Sequence, residues 1–314
     1  MAIRILNRPC LLGAFILLVG CEKWSDGVVN EIEFPDHEAT TAASCILTTG
    51  DSKAILSVTN TASLLSVAPV DLPQGVSATL QHEGVMVLSW TAEDVALVGE
   101  GLDVQKMLVL NLDSPLNLPE GEIELTVTIP GEPLLTARAI QPGTPEVSYT
   151  LHLGADTIAS LWGSEILDEV GLDLINHSGL RDVYAVRLQE AYVYGDTVWS
   201  LANGSGFEDP RLDYVSSCGC WIVDDQNVDA QVLSDMTLSR IRWSDEYGYE
   251  GGEEAPLRLV VEQLDPSLGE FYKSVSIHEA AQDNPFANPS GVYSNTSSGY
   301  GHFGLAARRT ILLN

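Results

Sequence analysis

Short runs of alternating apolar and polar residues, separated by turn sequences, recur through this chain of 314 residues. Residues 54–59, 85–90 and 123–129 are early examples, with turns such as Pro73-Gln74-Gly75 between them. Later runs of the same kind are 149–153, 183–188, 191–198, 220–223, 237–243 and 257–264. The sequence therefore predicts an all-β fold, mainly antiparallel, of two β-sandwich-like domains with a minor helix near the C-terminus.

Helical patterns are few. Residues 269–281 have apolar side chains spaced for one helix face, and residues 161–170 predict a short second helix. The proline and glycine residues of 141–145 interrupt the strand pattern and place a domain boundary there. We predict an N-terminal Ig-like β-sandwich domain over 45–143 and a C-terminal β-rich domain over 144–314.

The first residues are typical of a lipoprotein signal peptide. Arg4 and Arg8 precede an apolar run, residues 10–19, that is too short for a permanent membrane span. Gly20 then stands directly before Cys21, as a lipoprotein signal peptidase requires. We predict a signal peptide over 1–20, lipidation of Cys21, and an acylated N-terminus with a flexible tether over 21–44. The alternative is an ordinary secretory signal in which Cys21 is incidental.

The chain is strongly acidic, with 44 Asp and Glu against 15 Lys and Arg and a formal charge of −29. Nucleic acid and bare anionic lipid are poor partners for such a surface because both would be repelled. The charge indicates either adaptation to salt or a surface that collects cations. Closely spaced oxygen ligands at Asp224, Asp225 and Asp229 predict a calcium site, although the glycine and final glutamate of an EF-hand are missing.

Cys10 lies in the predicted signal peptide and Cys21 is the predicted lipidation site, which leaves three cysteines for disulfides. Disulfides are the default outside the cytoplasm, so Cys45, Cys218 and Cys220 are candidates. A bridge within Cys218-Gly219-Cys220 and a bridge from Cys45 to either thiol both remain open.

The sequence lacks the common catalytic motifs. The chain has no G-x-S-x-G elbow, and its histidines form no H-x-H or H-E-x-x-H pair. These patterns favour a non-enzymatic binding protein without a cofactor, with an extracellular hydrolase of unfamiliar geometry as the weaker alternative.

The C-terminal segment 283–304, which we call the clasp, is rich in proline, glycine and aromatic residues. Its prolines prevent helix, its glycines permit close backbone approach, and its aromatics can fold back onto a sandwich. A structural closing element is the favoured interpretation. A contact site for a ligand or partner is the alternative, and its residues would be Tyr293, Asn295, Tyr300, His302 and Phe303.

The clasp also resembles the closing motif of the Bacteroidota outer-membrane lipoprotein family of the domain of unknown function 4249. The similarity lies in Asn284-Pro285-Phe286, in Tyr293-Ser294-Asn295 and in the G-x-G-x-F-G run that ends at Gly304. Residues 123–147 are similar to the family's connection between its two halves. The acidic residues after Cys21 resemble the export signal that sends lipoproteins of Bacteroidota to the outer face of the outer membrane. His302 is a departure, since that position is more often apolar.

The resemblance implies a lipid-anchored outer-membrane protein, facing the cell surface, with the periplasmic face as the alternative. It also implies an accessory role that binds a ligand or partner for a TonB-dependent transporter. A free-standing structural or adhesive surface lipoprotein is the second interpretation of the same features.

Overall fold

A computed structural model describes ten stretches of the chain. They are residues 40–61, 71–99, 104–160, 163–175, 181–194, 196–202, 211–225, 232–244, 256–282 and 291–313. All of them belong to one compact unit, Ala39–Asn314. The prediction of an all-β, mainly antiparallel fold with one minor helix near the C-terminus is confirmed.

The first eight strands alternate with short turns. They are β1 (Thr41–Thr48), β2 (Lys53–Asn60), β3 (Ser77–His82), β4 (Val85–Trp90), β5 (Val95–Val98), β6 (Gln105–Asn111), β7 (Gly121–Thr128) and β8 (Leu135–Gln141). A single 3-10 turn, Ala92–Asp94, precedes β5, with the Thr91 side chain as its N-cap. Alternate burial in β2 and β7 follows the predicted two-residue period.

The second half contains longer strands and the helix. They are β9 (Val147–Ser160), β10 (Gly163–Ile175), β11 (Val183–Tyr194), β12 (Asp196–Leu201), β13 (Leu212–Val215), β14 (Cys220–Asp224), β15 (Val232–Ser244), β16 (Leu257–Leu264), α1 (Pro266–Gln282) and β17 (Tyr300–Leu313). The helix predicted over 161–170 is wrong. The described residues of this segment, 163–170, form the first part of β10. Alternate side chains of β10, Val170, Leu172 and Leu174, are buried in a core. Pairing of β10 with β9 and β15 therefore outweighs the local helical spacing of the sequence.

Among the described residues, the largest sheet has ten strands in the order β13-β14-β11-β16-β17-β1-β2-β6-β5, with β12 also paired to β11. Its strands come from both sides of the predicted boundary at 143/144, and the two-domain division stays a prediction. Every described pair in this sheet is antiparallel except β1 with β17, which run parallel with Cys45 opposite Phe303. The chain therefore joins its first and last described strands at the middle of its largest sheet.

Two smaller sheets supply the rest of the apolar core. The four-stranded sheet β4-β3-β7-β8 places Leu80 and Leu125 in one cluster with Leu56 of β2 and Phe303 of β17. The Nε1 of Trp90 donates to the Ala54 carbonyl oxygen at 3.1 Å, which satisfies the only polar atom of that buried ring. The three-stranded sheet β15-β10-β9 forms a second cluster with strands β11, β14 and β16.

Helix α1 packs with a third cluster, on the opposite side of β11 and β16. Leu268 is fully buried there, beside Val183, Ala185 and Ala306. Asp265 fixes the start of the helix, because one carboxylate oxygen accepts from Ser267 N at 3.1 Å and the other from Ile140 N of β8 at 3.0 Å. In the described part of the chain no helix combines the length and apolar character needed to cross a membrane.

Candidate functional site

The described part of the clasp, residues 291–304, lies along β8 as an added edge. Thr296 pairs with Ala137 in an antiparallel bridge, and Ser297 N donates to the Thr136 carbonyl oxygen at 2.7 Å. The Ser297 hydroxyl in turn accepts from Thr136 N at 2.9 Å. This segment therefore ties the four-stranded sheet to the chain that enters β17.

Asn295 performs the most specific holding contact in the clasp. Its Oδ1 accepts from Phe303 N at 2.9 Å, and its Nδ2 donates to the Phe303 carbonyl oxygen at 2.7 Å. A side-chain amide that pairs with both backbone groups of one residue replaces a missing strand neighbour. The side chain of Asn295 therefore holds the clasp against β17.

The clasp glycines lie against β1. At Gly301, where φ is +124°, a Cβ would stand 1.8 Å from the Ala43 carbonyl oxygen. Gly299, at φ +74°, would meet the Thr41 carbonyl oxygen at 2.1 Å. Only glycine permits this approach of two parallel strands at this place.

The aromatic residues of the predicted contact set divide into two groups. Tyr293 and Tyr300 are 39% and 60% exposed, whereas His302 and Phe303 are completely buried. Phe303 belongs to the first apolar core, and the His302 ring stacks on Phe271 with a centroid distance of 4.5 Å. Only the two tyrosines present a large surface to solvent.

His302 is a buried imidazole without a described hydrogen-bond partner at either ring nitrogen. Burial lowers its pKa from 6.5 to about 4, because the charged form would lose its hydration. Tyr293 meets the ring edge-on at 6.0 Å. The residue therefore behaves as a neutral core aromatic at ordinary pH.

The predicted calcium ligands have other partners where the structure describes them. Asp224 accepts from Arg181 at 2.6 Å and from Lys273 at 3.1 Å, and Asp225 accepts from Asp182 N at 3.0 Å. Asp229 lies outside the described residues. The described stretches contain no group of three or more side chains able to hold a metal, and the calcium site stays a prediction.

The cysteines resolve one alternative that the sequence left open. Cys218 and Cys220 form a disulfide, across Gly219 at φ +55°. Cys45 is free and buried in the first core, and burial raises the pKa of its thiol to about 12. The Cys45 thiol is therefore an apolar packing group.

A buried ion cluster joins β10 to β15. The Asp168 carboxylate is fully buried and accepts from Arg240 Nε at 3.0 Å and from Arg242 Nε at 2.7 Å. Burial acts to raise the pKa of Asp168, but hydrogen bonds from Arg242, the Gly154 amide and Arg240 outweigh it and lower that pKa. Both oxygens of the Asp168 carboxylate accept from donors within the protein, so we interpret this cluster as a structural one.

An open hollow of about 360 Å³ lies on the large sheet, and we call it the arginine recess. Its lining is formed by three arginines, Arg187, Arg258 and Arg308, with Gln189, Cys218, Val260 and Thr310. These residues come mainly from β11, β16 and β17, three adjacent central strands.

Strand register explains why these side chains meet. Gln189 is opposite Arg258, Arg187 is opposite Val260, and Val260 is opposite Thr310. Directly opposite residues in antiparallel strands point to the same face, and so do residues two apart along one strand. The recess is therefore built into the backbone of the sheet.

Two arginines of the recess share a buried carboxylate. Glu262 accepts from Arg187 Nη1 and from Arg308 Nε, each at 2.7 Å, and Arg308 Nη1 also donates to Asp51 at 2.7 Å. Burial acts to lower the pKa of Arg308, but the charges of Glu262 and Asp51 outweigh it and raise that pKa. These pairs fix two of the three guanidinium groups that line the recess.

Arg258 is held differently. Its Nε donates to the neutral Oε1 of Gln189 at 2.8 Å, and its guanidinium lies 4.2 Å from the centre of the Trp199 ring. Burial and the positive charge of Arg308 lower its pKa. Among the described residues, no carboxylate lies within ion-pair distance of Arg258.

The sequence predictions did not include any residue of this recess except Cys218. Its three arginines lie far apart in the chain and carry no motif, and only the strand register brings them together. Comparison of the chain with models of known families gives no match, and comparison with curated proteins gives no significant one.

Proposed function

We propose that this chain is a non-enzymatic binding protein, anchored to the outer membrane by a lipid on Cys21, that acts as an accessory to a TonB-dependent transporter. The arginine recess carries the binding part of this proposal. It is open to solvent, and its charged groups are fixed by pairs within the sheet. A rigid scaffold with convergent polar groups is what a ligand site requires.

The anchor rests on the sequence around Gly20 and Cys21. Replacing Cys21 by Ser should abolish incorporation of labelled palmitate and release the protein from the membrane fraction. The matched control is Cys10→Ser, which lies in the proposed signal peptide and should leave labelling intact. Labelling that survives Cys21→Ser would contradict lipidation at this residue.

The transporter association is tested by capture from membranes. The protein, tagged after Asn314, is solubilised in a non-ionic detergent and purified, and co-eluting proteins are identified by mass spectrometry. We expect a TonB-dependent transporter in stoichiometric amount. Elution of the lipoprotein alone would refute a stable complex and would favour the free-standing surface protein.

A further inference from the structure

The arginine recess is a positive site in a negative protein. The chain has 15 basic residues against 44 acidic ones, yet three arginines converge on this one hollow. Among the described residues, Glu262 and Asp51 are the two carboxylates paired with them. Within this described part of the chain, three guanidinium charges against two paired carboxylates leave a local excess of one positive charge.

That excess is concentrated at Arg258. Arg187 and Arg308 already have carboxylate partners, whereas Arg258 bonds to a neutral amide and lies on an indole ring. A guanidinium has five N–H donors, and the bond to Gln189 uses one of them. Burial and the positive charge of Arg308 both lower the pKa of Arg258, and a bound anion would offset the repulsion between the two guanidinium groups.

The size and walls of the recess limit the ligand. A volume of about 360 Å³ is at the lower end of the range for small-molecule sites, and it exceeds what a single inorganic ion needs. Gln189 and Thr310 offer neutral groups that can bond to hydroxyls. The face of Trp199 is occupied by Arg258, so the indole orients the guanidinium rather than stacking on the ligand.

We propose that the arginine recess binds a small hydroxylated organic acid, of the size of one sugar ring, through a bidentate bond between its carboxylate and Arg258. The planar fork of arginine matches a carboxylate, and Arg187 and Arg308 add attraction at longer range. This inference rests on the proposed binding function and names the chemical class of its ligand.

The test uses the full lipoprotein in non-ionic detergent at low salt, with D-glucuronate as the probe in titration calorimetry. Glucose, which lacks the carboxylate, is the uncharged control, and inorganic sulfate is the control for binding of any small anion. We expect saturable binding of glucuronate, no binding of glucose, and at least tenfold weaker binding of sulfate. Sulfate that binds as well as glucuronate would overturn the assignment of an organic acid, and absence of glucuronate binding would overturn the site.

Variants place the binding at Arg258. Arg258→Gln should weaken glucuronate binding by about tenfold to a hundredfold, and Arg258→Lys by a smaller factor because an ammonium group cannot form the fork. The control is Arg309→Gln. Arg309 lies on β17 between the recess residues Arg308 and Thr310, but its side chain donates to the Pro145 carbonyl oxygen instead of lining the recess. Circular dichroism and thermal melting confirm that each variant is folded. Equal glucuronate affinity in Arg258→Gln and Arg309→Gln would refute the role of Arg258.

Failure of this inference can be separated from failure of the proposed function. Capture of the transporter without glucuronate binding would keep the accessory role and reject the ligand class. Glucuronate binding without capture of a transporter would support the ligand class and reject the transporter association.

Discussion

Acid should destabilise this protein through a single buried histidine. His302 is fully buried, and burial lowers its pKa from 6.5 to about 4. In the unfolded chain the imidazole has its ordinary pKa, so the unfolded state takes up a proton first as the pH falls. The contribution of neutral His302 to stability is therefore fully present above pH 6.5 and is lost as the pH falls toward about 4.

The magnitude follows from the difference between the two pKa values. Each pKa unit corresponds to about 1.36 kcal/mol, so the whole loss amounts to about 3 kcal/mol. About 2 kcal/mol of this falls between pH 7.5 and pH 5, where most carboxylates are still ionised. A loss of this size is a large share of the roughly 5–15 kcal/mol that stabilises a typical domain.

The assay is urea denaturation followed by tryptophan fluorescence at pH 7.5 and pH 5, for which the six tryptophans provide the signal. His302→Leu keeps an apolar group against Phe271 and removes the titrating ring, so it should abolish this part of the pH dependence. His152→Leu, at an exposed position of β9, is the control and should keep the dependence of the unchanged protein. Equal loss of unfolding free energy in the unchanged protein and in His302→Leu would refute the reasoning.

Three further substitutions, one of them with a matched control, test the clasp and the buried ion cluster. Asn295→Ala removes both bonds to the Phe303 backbone and should lower the unfolding free energy in urea by about 2 kcal/mol. Gly301→Ala places a methyl group against the Ala43 carbonyl oxygen and should cost about 3 kcal/mol, whereas Gly291→Ala, which meets nothing within 4 Å, should leave the melting temperature unchanged. Asp168→Asn removes the nearest anion of the buried Arg240 and leaves it the longer ion pair to Glu190, at 3.9 Å, so it should cost about 3 kcal/mol. A smaller loss in calorimetry would show that Glu190 or solvent compensates the Arg240 charge.

The strands were predictable because their signal is local. In residues 54–59 and 257–264 the alternation or continuous apolar character is visible within one strand, and β2 and β16 cover these segments. The helix at residues 269–281 was predictable for the same reason, and α1 covers it. The second helix failed because Val170 and Leu172 acquire their burial from partner strands, which a local window does not contain.

The candidate site was less predictable, because it depends on register between distant strands. Arg187, Arg258 and Arg308 look like solvent-exposed cations when each is considered alone. Their convergence follows only from the pairing of β11 with β16 and of β16 with β17. For His302 the sequence misleads in the opposite direction. Its residue type indicates an exposed polar contact, whereas the structure packs the ring against Phe271 in the interior.

The parallel pair of β1 and β17 has a consequence for how the chain folds. Synthesis delivers β1 early and β17 last, so the centre of the large sheet cannot close until nearly the whole chain is present. Contacts of such long sequence separation slow folding, and until they form the edge of β1 stays open to wrong partners. A chain that stops before residue 300 would lack the strand between β16 and β1, and we expect it to aggregate rather than form a smaller stable protein.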